Sequence, residues 1–475
     1  MKNPPSNYYA IILAGGEGSR FWPQSRTLEP KQFLTLYKKK SLFEQTIMRI
    51  KPLVRPENIF IVTSNLYRRQ INELVRPFAI PEGNLIFEPK GKNTAPSICA
   101  AASLIHQKDH SALICAFPCD HLIKNKKEFM RIIQEAFEIC QHHLVVFGIV
   151  PNRPDTGYGY IKAGKAYRGV SGVSSKVYQV SNFCEKPDIQ KAKRFLKDKL
   201  YFWNSGIFAG PSRVFLSEFK THLPLLYRQL HKISSPADIS GIWDNIKPAS
   251  FDYGVLEKSS NLLMIAAFGL GWSDLGSWQA LDEELKKDNE GNLIDADAIS
   301  INSKNITVLG KHRLIATVGL KNLIIVDTPD AVLITEKNKT EGVKQIVDIL
   351  KSKKRSEHYS HKTEKRPWGS FTVLDTGCGF KVKIIEVKPG AALSLQFHRK
   401  RSEHWVVVDG KAEITKGKKK YILDANENIY FPVGCLHRLG NPGKKMLKII
   451  EVQCGSYLEE DDIVRLEDSF GRASK

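Results

Sequence analysis

An unbroken apolar run, Tyr8–Ala14, leads directly into a glycine-rich segment at 15–20. A run without polar alternation is typical of a strand that is buried on both faces of a parallel sheet. Further runs of this kind follow at 59–63, 112–117 and 144–149. Segments with helical periodicity lie between them, at 42–50 and 127–140. Strands that alternate with helices predict an α/β domain with helices on both faces of a mostly parallel sheet.

This first domain is predicted to span 1–288. Beyond it, the pattern of apolar and polar residues changes twice. Short β-branched strands and one helical segment at 289–350 predict a small β-helix-like module. The charged stretch 351–364 lacks apolar periodicity and is predicted to be a linker. Short alternating strands with Gly, Pro and Asn turns at 365–475 predict an all-β sandwich or barrel.

Basic residues outnumber acidic residues by 71 to 50 in the 475-residue chain, a formal net charge of +21. Such an excess indicates an anionic partner, which could be nucleic acid, a membrane surface or small phosphorylated substrates. The basic clusters lack the interleaved aromatic side chains that stack on bases. No uncharged apolar stretch reaches the roughly 18 residues of a membrane span. We therefore expect small phosphorylated ligands, and neither nucleic acid nor a membrane as a partner.

The eight cysteines are neither dense nor paired in CxxC motifs. A disulfide framework or a structural zinc cluster is therefore not expected. The apolar run before the glycine-rich segment is too short for the core of a signal peptide. These features predict a cytoplasmic protein with reduced thiols.

The glycine-rich segment carries the first group of candidate site residues. Gly15, Gly16 and Gly18 allow the backbone to approach an anion closely, so that successive N–H groups can bind phosphate oxygens. The segment matches neither the Walker A motif nor the dinucleotide fingerprint. Arg20 and Lys31 add two cations, which could neutralise a triphosphate as negative charge moves onto a leaving pyrophosphate.

The string GGEGSRFWPQSR, followed by PKQF, resembles the signature of sugar-1-phosphate nucleotidyltransferases, and specifically of mannose-1-phosphate guanylyltransferases. The resemblance continues in the family's order through EPKGKNTAP, FPCDH, GIVPNRPDTGYGYI, FCEKPD, WNSGIF, FDYGVLEK and WSDLGSW. It implies a Rossmann-like mixed sheet and a reaction in which GTP and mannose 1-phosphate give GDP-mannose and pyrophosphate. Only family membership implies the preference for guanine.

The same resemblance implies roles for individual residues. Asp120 and Asp274 are expected to bind Mg²⁺, although either aspartate alone is more typical of a turn or a helix cap. The expected catalytic residues of this domain are Arg20, Lys31, Asp120 and Asp274. The expected nucleotide-binding residues are Ala14, Gly15, Gly16, Gly18, Arg20, Asn93 and Asp120. The expected sugar-phosphate-binding residues are Gly159, Glu185, Lys186 and Asn204.

Lys186 precedes Pro187, which predicts an extended backbone with the amine free to reach out.

Two motifs in the C-terminal region resemble those of cupins. The first has the spacing Q-x-H-x4-E-x6-G and comprises Gln396, His398, Glu403 and Gly410, with glutamine in place of the motif's first histidine. The second has the spacing P-x-G-x2-H-x3-N and comprises Pro432, Gly434, His437 and Asn441. On facing strands of a small barrel, Gln396, His398, Glu403 and His437 would converge as a divalent metal site. Such ligands suit Zn²⁺, with Mn²⁺, Fe²⁺ or Co²⁺ as alternatives.

Together with KRPWGSF, VKPGAALSLQ, HRLGNPG and EVQCGSYLEEDDIVRLEDSFGR, these motifs resemble type II phosphomannose isomerases fused to guanylyltransferases. The resemblance implies interconversion of mannose 6-phosphate and fructose 6-phosphate, in which a base moves a proton between C2 and C1. His404 is a possible base, but the neighbour of a ligand on a strand points to the opposite face. Arg465 and Arg472 are candidates for phosphate or catalytic contacts.

The chain departs from the family pattern beside the expected metal ligands. Arg399 and Lys400 stand where histidines are usual, Lys411 replaces a threonine and Gly440 replaces a glutamate. All four expected ligands survive these changes. A cation beside the metal could nevertheless weaken metal binding or alter turnover.

The family resemblance implies a bifunctional enzyme of GDP-mannose synthesis, and we expect a homo-oligomer, a dimer. The alternative is a monofunctional guanylyltransferase whose cupin domain is a non-catalytic binding or dimerisation module. Metal content and mannose 6-phosphate turnover distinguish these two hypotheses. A basic nucleic-acid-binding protein is a third possibility, which predicts strongly salt-dependent binding to a nucleic acid but lacks a recognised motif.

Overall fold

A computed structural model describes residues 4–36, 39–167, 172–310 and 312–467 of the chain. The chain forms two compact units, Met1–Asp327 with Val332–Lys354, and Thr328–Ala331 with Arg355–Lys475. Within the described ranges, no helix is long and apolar enough to cross a bilayer.

The first unit is built around a large central sheet. Its strands up to Ser273 are β1 (Tyr8–Ala14), β2 (Ile59–Ser64), β3 (Leu85–Glu88), β4 (Leu113–Pro118), β5 (Leu122–Ile123), β6 (Leu144–Ile149), β7 (Tyr160–Ala166), β8 (Val177–Cys184), β9 (Tyr201–Pro211), β10 (Leu262–Ala266) and β11 (Trp272–Ser273). The strand order of the central sheet is β3-β2-β1-β4-β9-β6-β10-β8-β7, while β5 pairs with β11.

The directions of these strands make the sheet mixed. β1 is parallel to β2 and β4, and β2 is parallel to β3. β9 runs antiparallel to both β4 and β6, and β8 is antiparallel to β10 and β7. The sheet is therefore mixed, as the family resemblance implies. The expectation of a mostly parallel sheet, drawn from the apolar runs, holds around β1 and for β6 with β10, and it is wrong for the pairs that β7, β8 and β9 make. An apolar run indicates that a strand is buried but does not determine its direction.

Helices cover both faces of the sheet, as predicted. They are α1 (Leu42–Ile50), α2 (Arg68–Val75), α3 (Thr94–Lys108), α4 (Lys126–Ile139), α5 (Ile189–Lys197), α6 (Ser212–His222), α7 (Pro224–Leu230), α8 (Ile239–Ile242) and α9 (Trp278–Glu284). A reciprocal capping box between Ser41 and Glu44 begins α1. Because side chains alternate along β1, Ile11 packs in the core that includes α3, and Ile12 packs in the core that includes α1.

A small module of short strands follows within the first unit. The strands are β12 (Leu293–Asp295), β13 (Ala298–Ile301), β14 (Thr307–Leu309), β15 (Ile315–Val318), β16 (Leu323–Asp327) and β17 (Val332–Glu336). β12, β14 and β16 pair in parallel, as do β13 and β15, in the stacked pattern of a β-helix. Ile306, Val308 and Ile325 form the core of the module. Helix α10 (Val343–Ser352) follows these strands and is counted as the last element of the module.

The second unit is an all-β barrel of two sheets. Its strands are β18 (Thr363–Arg366), β19 (Gly369–Gly377), β20 (Phe380–Val387), β21 (Leu395–His398), β22 (Arg401–Asp409), β23 (Ala412–Lys416), β24 (Lys419–Leu423), β25 (Asn428–Phe431), β26 (His437–Gly440), β27 (Leu447–Gly455) and β28 (Ile463–Glu467). The strand orders are β18-β19-β20-β27-β22-β25 and β24-β23-β26-β21-β28. The predicted fold class, an α/β domain followed by an all-β barrel, is confirmed.

Inward and outward residues alternate strictly along β22. Trp405 and Val407 are buried in the apolar core of the barrel, whereas Val406 and Val408 are exposed. Arg401 and Glu403 also point inward and are buried. The interior of the barrel is therefore charged along the first half of β22 and apolar along the second half.

Candidate active sites

Side chains from the segment after the glycine-rich loop hold that loop in place. Gln32 donates to the backbone oxygen of Gly16 at 2.9 Å, and Ser25 donates to that of Gly18 at 2.7 Å. Gly18 has a φ of 59°, and a Cβ on it would collide with the Cβ of Lys31. This position therefore requires glycine.

A buried lysine connects two loops that carry carboxylates. Lys31 Nζ lies 2.8 Å from Asp120 Oδ2 and 2.6 Å from the backbone oxygen of Asp274. Asp274 Oδ1 accepts from Tyr158 OH at 2.7 Å and from the N–H of Gly276 at 2.9 Å. Asp120 follows β4, which is parallel to β1, so the loops after these strands meet at one edge of the sheet.

The charges in this cluster are set by burial and by Lys31. Burial acts to raise the pKa of Asp120, but the charges of Lys31 and His121 outweigh it, and the pKa is lowered. Burial lowers the pKa of His121. Burial, and then the charge of Asp274, raise the pKa of Tyr158. At neutral pH, Asp120 is therefore an ionised carboxylate and Tyr158 is a phenol that donates to Asp274.

This cluster lines a cavity of about 330 Å³, the loop cavity. Its lining residues are Gly18, Ser19, Arg20, Phe21, Lys31, Asp120, His121, Asp274, Gly276 and Lys344. The cavity thus combines two carboxylates with three cations. Such a combination suits a polyphosphate that binds together with a divalent cation.

A second cavity, of about 320 Å³, opens at the ends of the parallel strands and is called the strand-end cavity. Its lining residues are Leu13, Gly15, Gly16, Gln32, Val62, Glu88, Gly91, Asn93, Thr94, Ser97, Pro118, Cys119, Asp120, Gly206, Phe208 and Asp252. Burial raises the pKa of Glu88 to about 7, although a hydrogen bond from Ser97 acts in the opposite direction. Asp120 lines both cavities, so they adjoin at its side chain.

The four residues expected at the sugar-phosphate site lie close together. The N–H of Asn204 donates to the backbone oxygen of Gly159 at 2.8 Å, and its side chain donates to Asp252 Oδ1 at 2.9 Å. Lys186 forms an ion pair with Glu185. Glu185 Oε2 is buried and has no hydrogen-bond partner in the described part of the chain. Because Asp252 also lines the strand-end cavity, this cluster borders that cavity.

The prediction of an extended backbone at Lys186 is wrong. The residue has a φ of 45°, in the left-handed region. The chain turns sharply here after β8, because the N–H of Glu185 donates to Glu257 Oε1 at 2.8 Å and the Lys186 ammonium folds back onto Glu185. These tertiary contacts override the preference that Pro187 imposes on the preceding residue.

Two of the expected nucleotide-binding residues have partners within the fold. Asn93 begins α3, where its side-chain oxygen accepts from the N–H of Thr94 at 2.8 Å, and it also lines the strand-end cavity. Ala14 is buried, and its backbone oxygen accepts from Gln32 at 3.2 Å and from Thr63 at 2.8 Å. Ala14 is absent from the described linings of both cavities. Its backbone contacts therefore support the glycine-rich loop that follows it.

In the barrel, two histidines and a glutamate meet. One ligand atom each from His398, Glu403 and His437 lies within 4.8 Å of the others, and all three residues are buried. His398 Nε2 is 2.9 Å from Glu403 Oε1, and His437 Nε2 is 3.5 Å from Glu403 Oε2. His437 Nδ1 lies 2.9 Å from the backbone oxygen of Cys435, which orients the ring. Gln396, the fourth expected ligand, is directly opposite His437 in the β21–β26 pairing.

This group fits a divalent metal. His437 Nε2 is buried and has no hydrogen-bond partner among the described residues. This nitrogen is therefore free to bind a metal. Burial acts to raise the pKa of Glu403, but His398 and His437 outweigh it, and the pKa is lowered. An ionised carboxylate with two imidazole nitrogens is a donor set typical of Zn²⁺ and related metals.

A buried polar network surrounds Glu403. Arg401 Nε donates to Glu403 Oε1 at 3.2 Å, and Gln453 Nε2 donates to the same atom at 3.1 Å. Gln453 also donates to Glu451 Oε1 at 2.7 Å. Burial, and then the charge of Glu403, raise the pKa of Glu451 to about 8. Lys383 Nζ lies 3.9 Å from Glu451 Oε1 and lines the same cavity as Glu403.

The remaining barrel residues singled out in the sequence lie in different places. Arg465 lines the cavity that contains Glu403. His404 points out of the barrel, with its ring centroid 4.5 Å from that of Tyr430. Arg472 lies outside the described residues.

Arg399 and Lys400, which replace the usual histidines, are exposed in the turn between β21 and β22. Their backbone N–H groups donate to Asp462 at 3.3 and 3.2 Å. The Lys400 ammonium lies 5.0 Å from the ring centroid of Tyr457. Because both side chains are exposed, they are separate from the buried ligand group.

Several residues at these sites were missed in the sequence. In the first unit, Glu88 falls within the string EPKGKNTAP, where its position directly after an apolar run was the available signal. In the barrel, Lys383, Arg401, Glu451 and Gln453 are charged or polar residues at inward positions of β20, β22 and β27. A polar residue in phase with the buried positions of a strand was the signal there.

The fold and the two sites define a nucleotidyltransferase joined to a cupin-type barrel. The family model "Nucleotidyl transferase" matches residues 9–291, "MannoseP isomerase/GMP-like beta-helix domain" matches 296–350, and "Mannose-6-phosphate isomerase C-terminal" matches 353–468. The chain belongs to the family of mannose-1-phosphate guanylyltransferases that carry a C-terminal mannose-6-phosphate isomerase domain.

Relatives and a solved structure support this membership over most of the chain. The mannose-1-phosphate guanylyltransferase of Klebsiella pneumoniae is 39% identical, over 97% of this chain and 99% of its own length. The xanthan biosynthesis protein XanB of Xanthomonas campestris pv. campestris is 40% identical, over 98% of this chain and 100% of its own. The crystal structure of mannose-1-phosphate geranyltransferase from Thermus thermophilus has a TM-score of 0.65 and 29% identity, and it covers 73% of this chain and 99% of its own.

Proposed function

We propose that the first unit transfers a guanylyl group from GTP to mannose 1-phosphate, giving GDP-mannose and pyrophosphate. An oxygen of the sugar phosphate attacks the α-phosphorus, and the bond from that phosphorus to the oxygen bridging to the β-phosphorus breaks. No proton has to move, so the protein's task is to position two polyanions and to neutralise the leaving pyrophosphate. The observation that carries this proposal is the cluster in which Lys31 contacts both Asp120 and Asp274 beside the glycine-rich loop.

Asp120 and Asp274 would bind Mg²⁺ in this reaction. The residues fit the ion, because their donors are oxygen atoms and Mg²⁺ is commonly held by one or two carboxylates together with substrate phosphates. The lowered pKa of Asp120 keeps its carboxylate ionised at neutral pH. When bound, the metal supplies positive charge at the phosphates. Arg20 and Lys31 supply the remaining neutralisation from the walls of the loop cavity.

Glu88 is suited to recognise the base. Guanine presents two adjacent donors, N1–H and the N2 amino group, and a carboxylate can accept from both, whereas adenine has no donor at N1. Glu88 is buried at the wall of the strand-end cavity, where an unmatched carboxylate is costly. Ser97 already donates to one oxygen of Glu88, so a base that donates to the other oxygen is favoured over one that leaves that oxygen unpaired.

The cluster around Glu185 would bind the sugar phosphate. The unpartnered Oε2 of Glu185 can accept a hydrogen bond from a sugar hydroxyl. The neighbouring Lys186 ammonium can pair with the phosphate of mannose 1-phosphate. Asn204 is fixed by Asp252 and Gly159 at the border of the same cavity.

The transferase proposal is tested with the purified full-length protein, GTP, mannose 1-phosphate and Mg²⁺. Release of pyrophosphate together with formation of GDP-mannose is the expected result. Reactions with ATP or UTP in place of GTP measure base preference, and glucose 1-phosphate in place of mannose 1-phosphate measures sugar preference. Absence of GDP-mannose under all these conditions would refute the proposal.

A second function is proposed for the barrel, the interconversion of mannose 6-phosphate and fructose 6-phosphate. The buried group of His398, Glu403 and His437 supports it, with Gln396 as the fourth residue that would hold a divalent metal. Zn²⁺ is our first choice, with Co²⁺, Mn²⁺ and Fe²⁺ as alternatives. When bound, the metal polarises the carbonyl of the sugar. Lys383, whose ammonium lies 2.8 Å from Glu460 Oε1, and Arg465 line the same cavity, where their positive charge would favour the substrate's phosphate.

The isomerase proposal is tested by metal analysis and by a fructose 6-phosphate assay on protein loaded with each of these metals. A bound metal and turnover of mannose 6-phosphate are expected. A barrel that binds no metal and shows no turnover would favour the alternative, a guanylyltransferase with a non-catalytic binding or dimerisation module.

We propose further that the protein acts as a cytoplasmic homodimer. Support for the compartment comes from its cysteines, which are all free in the structure. Light scattering measures the oligomeric state, and a monomer at working concentrations would refute that part of the proposal.

A further inference from the structure

Helix α10, the last element of the β-helix module, lies against the glycine-rich loop. The helix packs on the short 3-10 turn Ser19–Phe21. Near its C-terminal end, Lys351 Nζ is 2.8 Å from Glu17 Oε2 within the loop. The loop is therefore bordered by α10 as well as by the central sheet domain, and the module contributes to the walls of the loop cavity.

Lys344 is the residue through which α10 reaches that cavity. It stands in the first turn of the helix and lines the cavity together with Arg20, Lys31, Asp120 and Asp274. The ammonium of Lys31 is already paired with Asp120. Neither Lys344 nor Arg20 forms an ion pair with a carboxylate in the part of the chain that the structure describes. Among the described residues, two cations without a carboxylate partner thus border one cavity, one from the loop and one from the module.

The arrangement of the two cavities indicates which part of a nucleoside triphosphate would lie beside Lys344. Under the proposed function, the base lies in the strand-end cavity near Glu88, and the sugar phosphate lies near Asn204 and Asp252 at the border of that same cavity. Asp120 is shared by both cavities, so the α-phosphate belongs at their junction. The loop cavity is then the place for the β- and γ-phosphates.

We propose that Lys344 binds the β- and γ-phosphates of GTP, which leave as pyrophosphate. This inference rests on the proposed guanylyl transfer and identifies a substrate-contacting residue outside the nucleotidyltransferase domain itself. An ammonium acts on phosphate as a compact point charge, so its contribution needs proximity rather than a fixed planar geometry. The β-helix module is thereby a part of the transferase site.

The test compares four Michaelis constants in the full-length protein. Lys344→Ala is expected to raise KM for GTP in the forward reaction and KM for pyrophosphate in the reverse reaction, each by about tenfold. KM for mannose 1-phosphate and KM for GDP-mannose should stay within about twofold, because neither compound carries the two phosphates of GTP that leave as pyrophosphate. Lys344→Arg, which keeps the charge, should restore most of the binding. Lys353→Ala is the control, since it removes one exposed positive charge just beyond the same helix.

The outcomes separate this inference from the function on which it rests. Suppose that the wild type forms GDP-mannose and that Lys344→Ala leaves KM for GTP and KM for pyrophosphate unchanged. That result would overturn the inference alone. Equal increases for all four substrates would also overturn it, because they would indicate a structural role. A wild-type protein that forms no GDP-mannose would overturn both the proposed function and the inference. Thermal unfolding of each variant excludes misfolding as the cause of a change.

Discussion

The two candidate sites of this chain are built in opposite ways. The transferase site collects charged residues from several loops around adjoining cavities of about 330 and 320 Å³. The barrel site is a compact buried group, in which the ligand atoms of three residues lie within 4.8 Å of one another. Phosphate binding can be shared among many contacts, whereas a metal depends on each of its few ligands. We therefore expect losses to be complete at the barrel site and graded at the transferase site.

The largest effect is expected from His398→Ala. The substitution removes one of the two histidines of the proposed metal group and should abolish metal binding and isomerase activity, a larger loss than the about 10- to 100-fold that follows removal of an outer-shell partner. GDP-mannose formation should change by less than about twofold, because the site lies in the other compact unit. Metal analysis and both enzyme assays measure this. His404→Ala is the matched control, since that ring lies outside the barrel against Tyr430. Loss of both activities in a folded protein would show that the sites are coupled.

The transferase site should respond strongly to Asp274→Ala and Arg20→Ala. Each variant loses a charge that we assign to the metal or to the phosphates, and a reduction of about 10²- to 10³-fold in the rate of GDP-mannose formation is expected. Isomerase activity should remain. Asp198→Ala removes an exposed carboxylate of the same unit and serves as the control. Near-normal transfer in both test variants would mean that the assigned site is wrong.

Glu88→Gln tests the strand-end cavity through the dependence of stability on pH. Burial raises the pKa of Glu88 to about 7 from its ordinary value near 4.5, so the folded state holds this proton more tightly than the unfolded state. The free energy of unfolding should therefore fall as pH rises from about 4.5 to 7, by roughly 2 to 3 kcal/mol for this group. The glutamine variant should lack that part of the fall. Denaturant unfolding at several pH values measures it, with Glu82→Gln as an exposed control.

A further readout of the same variant is base selectivity, because glutamine can offer only one acceptor oxygen to the two donors of guanine.

In the stability measurement, the free energies of unfolding of Glu88→Gln and of the wild type could instead change with pH in parallel. That result would show that Glu88 does not titrate as its burial implies.

The fold could be predicted from the sequence to the extent that local patterns determine it. Apolar runs located β1, β2, β4 and β6 to within a residue or so, and the motif spacing identified the three residues that meet inside the barrel. The direction of β9 could not be predicted, because its apolar string is compatible with either orientation. Pairing within the mixed sheet is a long-range property that no local window contains.

The two sites also differ in how far the sequence alone predicted which residues come together. His398 and Glu403 are five positions apart in one motif, on consecutive strands of different sheets, and the resemblance of that motif to the cupin motif brought them together in the prediction. Lys31, Asp120 and Asp274 are far apart in the sequence, and only the family resemblance connected them. Lys383 and Glu451 were missed because an isolated charge on a strand reveals its partners only when the barrel closes. The exposed positions of Arg399 and Lys400 likewise became clear only from the turn that holds them.

The smallest effect is expected from Lys351→Ala, which removes the ion pair between α10 and Glu17. Both side chains are substantially exposed, at 39% and 55%, and pairs of this kind contribute about 0 to 1 kcal/mol. KM for GTP should therefore rise by no more than about fivefold, and the increase should shrink as salt is added. Lys339→Ala, which breaks an exposed ion pair with Glu336, is the control. A loss as large as that of Lys344→Ala would mean that α10 acts mainly by holding the loop, and would move the module's role from binding pyrophosphate to positioning the residues that do.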